Sequence, residues 1–163
     1  MLSASNQSDG YRLAFDEARR ALEDQERAVA ELRTRAGALI AAAAITTSFF
    51  GSQMTTVEGF GAPAWLAIAS FVALGFTVLA ILWPRHDWEF SMSASDVIST
   101  YLEPAEAPPM ALHMIHRDLA LHMDRSGRQN RQQLRRLMIV FRVGAVLLII
   151  EVVAWVVALI AQS

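Results

Sequence analysis

The sequence predicts an all-α integral membrane protein: three transmembrane helices with two long cytoplasmic helical extensions packing as a stalk. Three observations predict it. Long apolar runs at about residues 37–54, 63–83 and 139–161 alternate with densely charged segments. The charged segments carry apolar residues at alternating steps of three and four, the repeat of an amphipathic helix. Arginines, Arg142 apart, are confined to two of the four segments outside the runs.

Composition supports the class and excludes others. The chain has 163 residues, room for one domain, and is 54% apolar with 18% charged residues. A formal net charge of −2 leaves no global basic field for nucleic acid. The absence of cysteine excludes disulfides, thiolate chemistry, cysteine-ligated zinc and lipoprotein anchoring. All fourteen basic residues are arginine, which reads as the base composition of a GC-rich bacterial genome.

Residues 11–36 read as a cytoplasmic amphipathic helix. Phe15, Ala18, Leu22, Gln25, Val29, Leu32 and Ala36 form a heptad seam with one polar interruption at Gln25. Asp16–Arg20, Glu23–Arg27 and Glu31–Arg35 stand at i,i+4 with the acid first, the better orientation. The helix is about 39 Å long and is expected to run straight into the first span. It has neither the short basic start nor the small-residue cleavage site of a signal peptide, so it is expected to be retained.

A span needs roughly 20 predominantly apolar residues. The first is expected at 37–54, only mildly apolar because of Ala41–Ala44 and Thr46–Ser48. Gly37, Ala41, Ala44 and Ser48 make a small-residue stripe suited to close helix contact, and Thr46 and Thr47 offer hydroxyl donors. The second is expected at 63–83. Pro63 suits a first helical turn, where its missing N–H costs nothing, and Pro84 suits the end.

The segment 85–138 reads as a cytoplasmic helical insert. Ser93 with Asp96 looks like a capping box, Pro104 stops that helix, and Pro108 and Pro109 restart the chain. From Met110 one helix is expected to continue through Arg136 into the third span at 139–161, with Gly127 as its weak point. Its stripe is Leu112, Ile115, Leu119, Met123, Ser126, Asn130, Gln133 and Leu137. Two stalks of matching length are expected to pack together, within one subunit or between subunits. Ser126, Asn130 and Gln133 then either sit buried and set register or face water.

Arginine sets the orientation. Six arginines precede the first span and seven lie between the second and third, while the loop 55–62 and the C-terminal tail have none. The positive-inside rule puts the N-terminus and 85–138 in the cytoplasm and the C-terminus outside. Trp65 and Phe60 fit the outer interface; Trp83, Trp88 and Phe141 fit the inner one.

Glu151 is the foremost functional candidate. A carboxylate in the middle of a span is expensive and by default faces protein or a water cavity. Gly144, Glu151, Ala154 and Ala158 share one helix face, a second small-residue stripe. Glu151 reads as a pore-lining or protonation-switching carboxylate, as a contact that drives oligomerisation, or as a hydrogen-bonded packing residue. His113, His116 and His122, with Asp118 and Asp124 nearby, crowd one helix and offer Asp118–His122 at i,i+4. Zinc needs more convergent ligands than one helix supplies, so no metal and no cofactor is expected. The cluster reads as a solvated or stalk-packing face, or as a pH-responsive one. Arg125, Arg128, Arg131, Arg135, Arg136 and the snorkelling Arg142 suit anionic lipid headgroups. No nucleophile elbow, paired catalytic carboxylates, HExxH or glycine-rich phosphate loop is present, so no enzyme and no nucleic-acid partner is expected.

One further reading comes from layout. A charged helix enters an alanine-rich span at Leu32-Arg33-Thr34-Arg35-Ala36-Gly37-Ala38-Leu39, and a second span ends at Trp83-Pro84-Arg85. An insert with Tyr101-Leu102 and Asp118-Leu119-Ala120 follows before the last span. This layout resembles the small transmembrane effectors of bacterial anti-phage signalling, the Pycsar transmembrane effector family and its SLATT relatives. The resemblance implies an oligomeric inner-membrane protein that impairs the membrane when a nucleotide signal is made. Such effectors often carry or work with a separate nucleotide-sensing domain, and 85–138 is too small to be a recognisable one. Three functions therefore stand at this point: a membrane-disrupting effector, a scaffold or anchor docking a cytoplasmic protein on its stalk, and an ion or proton channel subunit. The first and third require homo-oligomers.

Overall fold

A computed structural model describes residues 4–54, 61–83, 94–102 and 110–161. Among them there is no strand. Helix α1 covers Ala4–Met54, α2 Ala62–Leu82, α3 Ala94–Val97 and α4 Leu112–Ile160. A π-helical turn, Ile98–Leu102, continues α3. Three helices, α1, α2 and α4, are long and apolar enough to cross a membrane.

The expected amphipathic helix and first apolar run are one unbroken α1, which begins at Ala4 rather than near residue 11. The insert helix and third apolar run are likewise one α4, and Gly127 does not interrupt it. Helix α2 is capped by the extended Gly61 and has Pro63 in its first turn. It ends where the Trp83 N–H donates to the Leu79 carbonyl at 2.8 Å. Ser93, Pro84, Pro104, Pro108, Pro109, Phe60 and Trp88 lie outside the described residues, and the proposed capping box with them.

The chain divides into two compact units, Met1–Val29 with Arg85–Leu134 and Ala30–Pro84 with Arg135–Ser163. In the first, α1 and α4 run parallel. Phe15 lies against His116 with ring centroids 5.3 Å apart, and further along Leu22 and Gln25 lie against Gly127. Tyr101, Ile115 and Leu119 form a buried cluster with Phe15, Val97 and Met123 packed around it. Tyr101 fixes the short 94–102 segment to α4 and to the residue leading into it. Its hydroxyl donates to Asp118 at 2.6 Å, and its carbonyl accepts from the Met110 N–H at 3.0 Å.

The second unit is a three-helix bundle. Leu39, Thr47 and Gly51 of α1 meet Gly144, Glu151 and Trp155 of α4 in that order, so these helices are parallel. Helix α2 is antiparallel to α4. Thr77 touches Gly144, while Ala64 and Ala67 join Ala154, Trp155 and Ala158 in one buried cluster flanked by Phe50, Ile68 and Leu159. The alanines explain the closeness: a helix with Ala or Gly at the contact lets its neighbour's backbone approach.

The surface ion pairs of α1 differ from the expected set. Arg19 pairs with Glu23 at 2.8 Å and Arg27 with Asp24 at 3.4 Å, while Glu31–Arg35 forms as expected. Glu23–Arg27 reaches only 4.0 Å, and no ion pair joins Asp16 to Arg20. Exposed pairs gain little over solvation, so neighbouring arginines compete for each carboxylate and spacing alone does not pick the winner.

Candidate functional site

The site is built from one layer of the three-helix unit. Helix α4 repeats small residues on the face turned inward, and Gly144, Ala154 and Ala158 are all buried there. Glu151 stands among them with no exposed surface at all. One oxygen, Oε1, accepts a hydrogen bond from the Thr47 hydroxyl of α1 at 2.7 Å. The Trp155 indole N–H, one turn further along α4, donates to the same Thr47 oxygen at 3.3 Å. Thr47 thus orders a chain that runs from indole to hydroxyl to carboxyl. The other carboxyl oxygen, Oε2, is buried and has no partner among the described residues.

An unpartnered buried oxygen is costly, on the order of 1–3 kcal/mol and more where charge is involved. The surroundings leave little relief. Apart from the Trp155 indole, Ser70 and Glu151 are the only buried side chains with polar groups among the described residues of this unit. The register that sets Thr77 beside Gly144 and Ala67 in the cluster of Ala154 brings Ser70 of α2 level with Glu151. Three helices therefore contribute a polar group to one layer: Thr47, Ser70 and Glu151.

The small-residue stripe expected on the first span needs correction. Gly37 and Ala44 are only partly buried, and Ala41 and Ser48 are exposed. The inward face of α1 is instead Ala36, Ala43, Thr47 and Phe50, because the three-four seam of the charged segment continues in phase into the apolar one. Thr47, not Thr46, carries the hydroxyl contact. Sequence reading missed Trp155 and Ser70. Trp155 stands at i+4 from Glu151, on the same face, and is 1% exposed. Ser70 carries no comparable mark, since α2 is apolar on every side.

In the first unit, Leu22, Gln25, Ile115, Leu119, Ser126 and Asn130 are buried, and Phe15 is half-buried. Leu32 is buried in the second unit. The Gln25 amide donates to the Gly127 carbonyl at 3.1 Å, while its own oxygen is buried without a partner among the described residues. Gln133 is half-buried, so of the three polar residues on the α4 stripe two are inside.

The histidines do not converge. His113 and His116 line a cleft of about 540 Å³ with Asp9, Arg12 and Asp16, and no three His, Asp or Glu side chains among the described residues are placed to hold a metal. Asp118 serves Tyr101 rather than His122, because the 94–102 segment delivers a phenol to it. That bond, with burial and the nearby carboxylate, pushes the Tyr101 phenol up to about 12. Asp124 pairs with Arg128 at 2.8 Å and reaches Arg131 at 4.0 Å. Arg125, Arg128, Arg131, Arg135, Arg136 and Arg142 are all exposed.

Comparison of the chain with protein-family models, with curated proteins and with solved structures returns no match.

Proposed function

We propose that this chain is a three-span protein of a bacterial inner membrane that assembles into an oligomer and acts as a conditional membrane effector. In this reading a signal or partner rearranges the helices around Glu151 and the membrane loses its integrity. The observation that carries the proposal is the Glu151 layer. A buried carboxyl group with one oxygen unpartnered among the described residues, inside a largely apolar three-helix unit, costs stability and contributes no packing that leucine would not. Such a group suits a unit with a second arrangement in which that oxygen is satisfied. The arginine distribution supports a cytoplasmic N-terminus and an external C-terminus, and the layout resembles that of anti-phage transmembrane effectors.

The test is membrane potential, read by dye in bacteria expressing wild type or Glu151→Gln at matched levels. Depolarisation by wild type and not by the variant supports the effector and locates its mechanism in α4. Intact potential in both, under every trigger tried, refutes it.

A second reading, a non-catalytic anchor that docks a cytoplasmic protein, is favoured by one observation. The first unit leaves Leu13 and Leu112 each 68% exposed, with Ile98, Leu102 and Met110 also exposed. Recovery of one specific soluble protein with the intact chain, and no change in permeability, would favour it.

A further inference from the structure

The Thr47 hydroxyl on Glu151, with Ser70 level with it on α2, suggests what satisfies its free oxygen. Carboxylate and hydroxyl oxygens are hard donors, the set that favours protons and alkali or alkaline-earth cations over soft metals. The layer holds one carboxyl and two hydroxyls from three different helices, and Glu151 is the only buried ionisable group of this unit among the described residues. One negative charge at most is on hand, so a divalent ion would be left uncompensated. Thr47 gives its proton to Oε1 and accepts from Trp155, which fixes its oxygen beside the carboxyl. Ser70, buried and level with Glu151 on α2, brings a second hydroxyl to the same layer. No arginine or histidine is buried in this layer, so no cation of the chain's own fills the role.

We propose that Glu151, Thr47 and Ser70 form a binding site for a hard monovalent cation, a proton or a sodium ion, inside the three-helix unit. The proposal deepens the functional reading of Glu151 but does not depend on membrane damage. A chain that takes up the cation and leaves the potential intact loses the effector reading and keeps the site.

The experiment uses the purified full chain in lipid nanodiscs and an apolar carbodiimide, dicyclohexylcarbodiimide, read by intact mass and peptide mapping. The carboxyl O–H adds across one C=N bond: oxygen bonds to carbon, the proton moves to nitrogen, and the acyl group then shifts to nitrogen. The whole reagent is retained as a stable adduct. Only a proton-loaded carboxyl reacts, so a bound sodium ion protects. The expected result is an adduct at Glu151, absent from Glu151→Gln, whose rate falls as pH rises. Sodium chloride slowing the rate at fixed pH, with choline chloride inert, assigns a sodium site; dependence on pH alone assigns a proton site. Either result supports the proposal. Thr47→Val and Ser70→Ala should each move the half-protecting pH or sodium concentration by about tenfold, the loss of one ligand-strength contact. Thr47→Ser should restore it. No adduct at Glu151, or a rate indifferent to both pH and sodium, overturns the proposal. The wild-type series alone decides this if a variant fails to fold.

Discussion

Helix α4 contains two internal glycines, and replacing each by alanine should move stability in opposite directions. At Gly144 a new Cβ would stand 2.9 Å from the Thr77 hydroxyl and 3.3 Å from a Leu39 methyl. The Thr77 hydroxyl cannot swing away freely, because it donates to the Leu74 carbonyl at 2.7 Å. Overpacking of this kind costs about 1–3 kcal/mol, and the gain in helix propensity from Gly to Ala offsets only about 0.5–1. The net effect is a loss of roughly 1–2 kcal/mol, and about 2–4 °C per kcal/mol for a chain of this size. At Gly127 the nearest atoms, on Leu22 and Gln25, are both 3.6 Å away, ordinary contact distance. There the propensity gain stands alone, and Gly127→Ala should raise stability by about 0.5–1 kcal/mol. Thermal unfolding of the full chain in one detergent, followed by circular dichroism, reads both. Thr77 is the neighbour that the new methyl meets first. Thr77→Ala should relieve Gly144→Ala, with a coupling of about 1 kcal/mol in the double-mutant cycle. If Gly144→Ala melts at or above wild type, or if both variants shift the same way, the close approach of three helices at Gly144 is wrong.

Other perturbations follow from the same contacts. Thr47→Val strands the Trp155 N–H and Glu151 Oε1 together and should cost about 1–3 kcal/mol, whereas Thr47→Ser should cost well under half of that; equal losses in thermal unfolding would deny the hydroxyl its role. Tyr101→Phe removes the bond to Asp118 and should cost about 0.5–1.5 kcal/mol. Because the folded phenol is held up at about 12 against an ordinary 10, this bond's contribution is complete below pH 10 and lost as pH rises through about 12. Absorbance at 295 nm should show a phenol titrating near that value in wild type and not in Tyr101→Phe. Gln25→Leu removes a buried unpartnered oxygen, and the Gly127 carbonyl it releases keeps the Arg131 side chain as a partner at 3.3 Å. It should melt no lower than wild type, and a loss above about 1 kcal/mol would mean that the Gln25 amide contributes more than it costs.

Much of this arrangement can be read from residue order, and the parts that cannot share a physical cause. The seam Leu22, Gln25, Val29, Leu32 and Ala36 is legible because charged residues mark the opposite face of the helix. On α4 the face of Gly144, Ala154 and Ala158 is legible because Glu151 marks it; a carboxyl in an apolar run has one acceptable direction to point. On the apolar part of α1 no residue marks a face, and two periodicities compete. The small residues Gly37, Ala41, Ala44 and Ser48 offer close contact. The three-four series through Ala36, Ala43, Thr47 and Phe50 continues the phase of the charged seam. Continuity prevails, because a helix without a kink cannot turn its packed face by one residue between adjacent turns. That choice puts Thr47 beside Glu151, and Trp155, one turn on, then reaches the same hydroxyl. The same logic explains why Ser70 is opaque to sequence reading. Helix α2 is antiparallel to its neighbours and apolar all round, so its rotation is set by Thr77 against Gly144 and by Ala64 and Ala67 in the alanine cluster. Only that tertiary register brings a third polar group to the layer, and it is the third helix that turns a lone buried acid into a candidate cation site.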